Sequence, residues 1–489
     1  MAASRDDEGN GRMVGAGDGS DKGGQGGEAR PRRAAPPKPA VAAVEAPARK
    51  ERRKPRSAKP PVQAPVQKPR NDSARAGALR LLGAVRDGAS LDAAAEALTA
   101  RLPPPDRARA RRLAATALRH RGRAEAVLAP LLPRRPKPAI ADVLLLGVTE
   151  MHAFGEAPHG VVNEAVALAR KQGQKGAAAA GMVNAVLRRA AEAGAVWAGA
   201  APVPLPDWIR DPVAEAWGED AASAIEAAHE RGAPLDLTAK PGREVAGATR
   251  LPTGSFRLPA GGQVSALPGF AEGDWWVQDA AAALPARLLD PRPGERIADL
   301  CAAPGGKTLQ LAAAGALVTA VDLSPQRLER VAENLARCGL QAELVAADAR
   351  EWRPEAPLDA ILLDAPCSAT GTIRRHPELP LIRDGSGIAA LAALQDELID
   401  HALALLPPGA RLVFATCSLL PEEGEARLAA ALARHPGLSV EAPDAAALGI
   451  EPGWITPDGA IRLRPDLWPE RGGLDGFFMV RLRKSAEAT

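Results

Sequence analysis

Two of the chain's four cysteines each close an apolar run. Cys367 follows I-L-L-D-A-P (Ile361 to Pro366), and Cys417 follows R-L-V-F-A-T (Arg411 to Thr416). A thiol at the carboxyl end of a buried strand sits where an open α/β sheet presents its reactive side chains. A third run, Ile297 to Thr308 (I-A-D-L-C-A-A-P-G-G-K-T), ends in small residues and the pair Gly305 and Gly306. Such a turn lets a ligand approach the backbone and the free N–H groups of the helix that follows. Asp364 lies three residues before Cys367. These types suit covalent activation of a pyrimidine. A thiolate that adds to carbon 6 of cytosine makes carbon 5 nucleophilic enough to take a methyl group; a second group then helps expel the thiol, while an acid holds the ring nitrogen and the exocyclic amine. Cys417, Cys367 and Asp364 are the candidates. A free thiol titrates at about 8.5, so the nucleophile needs a neighbouring cation or donor, and Lys307 is a candidate. The competing reading of any one thiol is a small buried hydrophobe. Cys338 is assigned to it, and so is Cys301, which would offer a ligand only its backbone.

The glycine spacing matches neither G-x-G-x-x-G nor G-x-x-x-x-G-K-[ST], which argues against a dinucleotide or a phosphate-cradling loop. Asp322 ends the next strand-like run and Asp348 the one after, where an acidic side chain can accept hydrogen bonds from ribose hydroxyls. A nucleoside cofactor without phosphate fits this order of elements. Strands are expected at Arg296 to Leu300, Leu317 to Leu323, Glu343 to Ala347, Asp359 to Leu363, Arg411 to Thr416 and Phe477 to Leu482. Helical patterns lie at Lys307 to Ala314, Gln326 to Cys338, Ile388 to Leu406 and Glu422 to Arg434. This alternation predicts a mostly parallel sheet covered by helices on both faces, with ligands at the strands' carboxyl edge.

The front half reads differently. Ala78, Leu81, Leu82 and Val85, then Val143, Leu144, Gly147 and Val148, then Met182, Val183, Val186 and Leu187 recur at helical spacing, so residues 71–200 are expected to be all-helical. Arg112, Arg119 and Arg123 would share one helix face and could meet an RNA backbone, although a solvated stripe is the plainer reading. Residues 201–270 look like a small, irregular connecting or substrate-guiding subdomain, with helix near Trp208 and from Asp220 to Arg231, and short strands at Leu235 to Lys240 and Ser255 to Leu258. Residues 271–489 form the α/β domain.

At 489 residues the chain exceeds one core. Net charge is +3, but residues 1–70 carry 16 Lys and Arg against 8 Asp and Glu, a net +8 that leaves about −5 for the rest. That stretch is rich in Gly and Pro without apolar periodicity, so it reads as a disordered basic tail that either solubilises the chain or holds nucleic acid loosely. No run reaches the roughly 20 apolar residues of a membrane span, and the amino terminus has no apolar signal core, so a soluble cytoplasmic protein is expected. Four cysteines in such a length are no disulfide framework, and their spacing offers no zinc site, so no metal is expected.

In series, D-L-C-A-A-P-G-G-K-T (Asp299 to Thr308), V-D-L-S (Val321 to Ser324), D-A-P-C-S-A-T-G-T-I-R-R-H-P-E-L (Asp364 to Leu379), A-T-C-S-L-L-P-E-E (Ala415 to Glu423) and D-G-F-F (Asp475 to Phe478) resemble the RsmB/Nop/Sun family of S-adenosylmethionine-dependent RNA cytosine-5 methyltransferases. V-N-E-A-V (Val162 to Val166) and G-M-V-N-A-V-L-R-R (Gly181 to Arg189) look like the bacterial RsmB branch. The resemblance implies a multidomain chain: a NusB-like, all-α RNA-binding domain followed by a Rossmann-like class I methyltransferase domain. It implies that Cys301, Ala302, Ala303, Pro304, Gly305, Gly306, Lys307, Asp322, Asp348 and Asp364 bind S-adenosylmethionine. Asp364 would also meet the base, Cys417 would attack and Cys367 would aid product release on 16S ribosomal RNA. The partner is RNA, and a monomer is assumed. Two departures stand out: Leu235 to Lys240 replaces the family's R-V-N type strand, which suggests a reduced RNA-guiding subdomain, and Phe414 stands where an aromatic with a hydroxyl is common. Other readings are a methyltransferase acting on another RNA, or a non-catalytic RNA-binding assembly factor. DNA cytosine-5 methylation is disfavoured because its acidic E-N-V turn is missing and the Thr-Cys-Ser thiol would be redundant.

Overall fold

The computed structural model describes residues 73–259 and 264–485. The basic stretch expected to be disordered, residues 1–70, lies outside them. The front half is helical, as expected: α1 (Ala74–Arg86), α2 (Leu91–Thr99), α3 (Pro104–Arg119), α4 (Arg121–Leu128), α5 (Pro138–His152), α6 (Pro158–Lys171), α7 (Gly173–Ala190) and the short α8 (Gly194–Gly199). Serines start the first two helices, Ser73 accepting from the Ala76 N–H and Ser90 from the Ala93 N–H. Prolines open α3, α5 and α6, where a missing N–H removes no bond. The periodic Leu81, Leu144 and Leu187 are fully buried in one core, each contributing roughly 1.5–3 kcal/mol of apolar burial.

The arginine stripe is not what its spacing suggested. The helix breaks at His120, between α3 and α4, so the period carried across it is void. Arg119 donates to the Arg374 carbonyl at 3.1 Å. Arg123 grips Glu230 at 2.5 and 2.7 Å, and the Arg112 guanidinium lies 5.0 Å from the Phe154 ring centroid. Two of the three thus tie the front helices to later segments.

α9 (Asp207–Trp217) and α10 (Glu219–Arg231) lead into β1 (Leu235–Ala239), β2 (Thr249–Arg250), β3 (Phe256–Leu258) and β4 (Trp275–Val277). These strands form an antiparallel sheet in the order β2-β3-β1-β4 around Leu237, Phe256 and Trp275. Two- and three-residue strands carry no readable alternation, which is why this stretch looked irregular. The buried pair of Asp236 and Arg257, 2.6 Å apart, joins β1 to β3.

The remaining elements are α11 (Leu284–Leu289), β5 (Arg296–Leu300), α12 (Gly306–Ala313), β6 (Leu317–Asp322), α13 (Pro325–Cys338), β7 (Glu343–Ala346), β8 (Ala360–Asp364), α14 (Leu379–Ile382), α15 (Ile388–Leu405), β9 (Arg411–Thr416), α16 (Glu425–Arg434), β10 (Leu438–Val440), α17 (Ala445–Leu448), β11 (Ile461–Leu463) and β12 (Phe477–Lys484). The sheet runs β10-β12-β9-β8-β5-β6-β7, with β11 paired to β12. Strands β5 to β9 are parallel and the last three antiparallel. Along β8 and β9, Leu362 and Val413 face one core while Leu363 and Phe414 face the other, the burial on both sides that makes such strands read as apolar runs. On α13, Leu328, Val331, Leu335 and Cys338 form the buried stripe and Ser324 caps the start. Among the described residues no helix is long and apolar enough to cross a membrane.

From β5 the chain steps outward to β6 and β7, then returns to the other side of β5 as β8. That reversal opens a crevice at the carboxyl ends of β5 and β8.

Candidate active site

The β5 tip enters the crevice through Cys301, whose φ of 61° turns the chain out of the strand. The Ala302 N–H bonds to the Val321 carbonyl at 3.0 Å and the Gly305 N–H to the Ala302 carbonyl at 2.8 Å, and the Ala303–Pro304 peptide is cis. Gly305 has φ 96°, and a Cβ there would come 2.8 Å from a methyl of Val331 on α13, so the turn is fitted to glycine twice over. Gly306 then begins α12. Asp322, almost fully buried at the end of β6, accepts from the Ala303 and Ser324 N–H groups, both at 3.0 Å, and Arg327 approaches it at 3.6 Å. Asp348 lies two residues beyond β7 and is held by Arg350. Those hydrogen bonds keep its carboxyl below the usual range.

At the tip of β8, Asp364 pairs with the Lys307 ammonium at 2.6 Å. Lys307 itself is buried and lies 5.2 Å over the Phe477 ring. The cation expected to serve a thiol is thus committed to the carboxylate expected to hold the base. Asp299, beneath this pair, is fully buried, and burial pushes its carboxyl up to about 7. Burial, reinforced by the carboxylates of Asp364, Asp322 and Asp299, pushes the Cys301 thiol up to about 12, which makes it inert as a nucleophile.

β8 and β9 are parallel neighbours with Asp364 opposite Ala415, so the turns beyond them run side by side. Their sulfurs meet: Cys367 Sγ and Cys417 Sγ are 3.4 Å apart, within hydrogen-bonding distance for sulfur. The Cys367 thiol is pushed well above its ordinary value, first by that hydrogen bond, then by burial and by the charges of Cys417 and Glu423. Two sulfurs at this separation share a hydrogen bond, so a proton lies between them. Gly371 closes the first turn, its N–H on the Cys417 carbonyl at 3.0 Å and its carbonyl taking the Gly476 N–H at 2.8 Å. A Cβ on Gly371 would strike the Gly476 carbonyl oxygen at 2.0 Å.

Comparison with known proteins bears on this site. Residues 286–483 match the family model of 16S rRNA methyltransferase RsmB/F, and residues 72–192 match the NusB family. Ribosomal RNA small subunit methyltransferase B of Pseudomonas putida is 39% identical over 442 residues, spanning 84% of this chain and 98% of its own. The same-named protein of Pseudomonas syringae pv. tomato is 40% identical over 443 residues, spanning 84% and 97%. The chain belongs to the RsmB/F family of 16S rRNA methyltransferases. The crystal structure of PH0851 shares the fold, with TM-score 0.61 and 23% identity over 83% of this chain and 98% of that one.

The methyl donor of this RsmB/F chain is S-adenosylmethionine, and the donor set suits it. Carboxylates at the tips of β6 and β8 and beyond β7 favour hydroxyls and a cationic sulfonium over phosphates, and the glycine turn leaves backbone accessible. Sequence reasoning passed over several residues here. Glu423 is fully buried between the two thiol turns, and Arg374 and Arg375 lock Asp279 and Asp475 into a buried ionic cluster. All but Asp279 lay inside quoted motifs. A buried carboxylate is indistinguishable from a solvated one until its burial is known.

Proposed function

We propose that the chain transfers a methyl group to carbon 5 of a cytosine in 16S ribosomal RNA through a covalent intermediate on Cys417, acting in the cytoplasm. In this reading residues 301–307, Asp322, Asp348 and Asp364 hold S-adenosylmethionine, which supplies an electrophilic methyl when bound. The helical domain, residues 71–200, with the small subdomain that follows, presents the RNA, and residues 271–489 carry the chemistry. Cys417, having given its proton to solvent, attacks carbon 6 as the carbon 5–carbon 6 π pair moves onto carbon 5, and Asp364, paired with Lys307 at 2.6 Å, holds the base edge. After transfer the carbon 5 proton passes to water, its electron pair restores the ring double bond, and the carbon–sulfur bond breaks with its pair on Cys417. The Cys367 S–H stabilises the emerging thiolate.

The observation that carries this reading is the 3.4 Å approach of two sulfurs at adjacent strand tips beside a carboxylate. A purely binding protein has no need of that convergence. The test uses transcribed 16S RNA with labelled donor. Cys417→Ala is expected to abolish transfer while RNA binding survives, and Cys367→Ala to accumulate a protein–RNA adduct on a denaturing gel. Full activity in Cys417→Ala would reverse the roles of the thiols, and bisulfite sequencing of the product tells whether the label sits on carbon 5 of a cytosine.

A further inference from the structure

Glu423 follows Cys417 by six residues and has no role in the reaction described so far. Its side chain is fully buried, yet its hydrogen bonds come from neutral groups. The Ser368 N–H donates at 2.9 and 3.2 Å to its two oxygens, the Ser368 hydroxyl donates to one of them, and the Gln395 amide donates at 3.1 Å. Ser368 is the residue next to Cys367. From the other side, the Thr416 hydroxyl, next to Cys417, donates to the Glu423 carbonyl at 2.9 Å. One residue therefore holds both thiol-bearing turns, by its side chain and by its backbone. Around that hold the Ser368, Thr370 and Ser418 hydroxyls form a closed triangle with sides of 3.1, 3.2 and 3.2 Å. Arg462 anchors the Ser418 carbonyl at 2.6 Å.

A tie between two turns needs no charge; neutral side chains or water would serve. Putting a carboxylate there with neutral donors is costly in isolation. It places a carboxylate directly against Ser368, the residue next to Cys367, with the Arg462–Glu425 ion pair at the neighbouring turn. We propose that Glu423 is a positioning residue for Cys367: its carboxylate clamps the Pro366-Cys367-Ser368 turn against the Cys417 turn and makes Cys367 the sulfur that carries a proton to the departing Cys417. This rests on the assignment of attack to Cys417 and release to Cys367. The direction of the Cys367 shift, to which Glu423 contributes, agrees with it.

The experiment uses the full chain with Glu423→Gln, which keeps the size and the acceptor toward Ser368 but removes the charge. Adduct lifetime is followed against pH, beside the rate of methyl transfer and the donor affinity. Release should slow more than transfer, roughly ten- to hundredfold, the loss of one charge-assisted hydrogen bond. The pH above which release declines should move down, because Cys367 then loses its proton more easily. Independently of catalysis, the pH midpoint for iodoacetamide labelling of Cys367, read by peptide mass spectrometry, should also fall. If both pH midpoints stay in place while donor affinity and melting temperature drop, Glu423 is only a structural tie and the proposal is overturned. If no adduct forms even in Cys367→Ala, the thiol assignment itself fails, and the labelling midpoint alone then decides whether Glu423 acts on Cys367. Should Glu423→Gln not fold, Ser368→Ala removes part of the clamp and keeps the charge. A lengthened adduct lifetime supports the clamp, and an unchanged one refutes it.

Discussion

Asp299 lies under the crevice with one oxygen on the Thr308 hydroxyl at 2.6 Å and the other buried without a partner. Its carboxyl is pushed up to about 7 by burial, against about 3.9 in an unfolded chain. Between those values the folded state holds a proton that the unfolded state has lost, so stability declines as pH rises from about 4 to about 7 and levels off above. The decline attributable to this group is on the order of a few kcal/mol. Asp299→Asn mimics the protonated form, so urea unfolding of the ligand-free chain should lose that slope between about pH 4 and 7. An equal slope in the variant would assign it elsewhere. At this scale Cys367, Cys417 and Asp364 were legible because each follows an apolar run whose end a parallel sheet must present. Lys307 was legible as a cation near the site but not as the partner of Asp364, since a four-carbon stem reaches several neighbours and only the fold selects one.

The stretch from Cys367 to Arg383 shows how far one element's influence extends. It leaves the thiol turn, passes Arg374 and Arg375 in the buried cluster with Asp279 and Asp475, and ends against the front helices. There Glu378, buried, accepts the Leu91 N–H at 3.0 Å, so a carboxylate 287 residues away serves the open amino end of α2. Burial works against that charge, but hydrogen bonds from His376 and the backbone hold it below its usual range. Glu378→Ala would leave the Leu91 N–H without its acceptor and cost about 1–3 kcal/mol. Amide exchange at the first turn of α2 should accelerate, and methyl transfer should slow because the same segment carries Cys367. Protection unchanged at Leu91 would show that α2 is held by packing alone. The strands and long helices of this half were readable from burial on two faces and from stripes such as Leu328, Val331 and Leu335. β10 and β11 were not, because three residues carry no period. The Arg112, Arg119 and Arg123 stripe misled because a helical period was extended through the break at His120.

Across the whole molecule, the front helices and the α/β half meet at side chains that no single segment explains. His229 on α10 is buried with its Nε2 unpartnered, facing Arg374 of the catalytic half and Arg119 of α3. Burial first, then those two guanidiniums, lower its imidazole to about 3. The unfolded chain takes up this proton near 6.5 and the folded chain does not, so stability is lost as pH falls below 6.5. The slope is about 1.4 kcal/mol per pH unit, or about 2 kcal/mol by pH 5. His376, at the same joint, is raised by its hydrogen bond to Glu378 and by the nearby carboxylates, so it contributes stability that is present below about 6.5 and lost as pH rises. The two therefore oppose each other, and only a difference between variants isolates either. His229→Leu removes a buried polar atom that has no partner, so at pH 7 it should be neutral or stabilising. Denaturant unfolding at pH 7 and pH 5 should then show the variant gaining about 2 kcal/mol on the parent as the pH falls. If the two chains lose stability in parallel, His229 is hydrated or charged in solution, and the joint between the halves is looser than a buried, neutral imidazole requires.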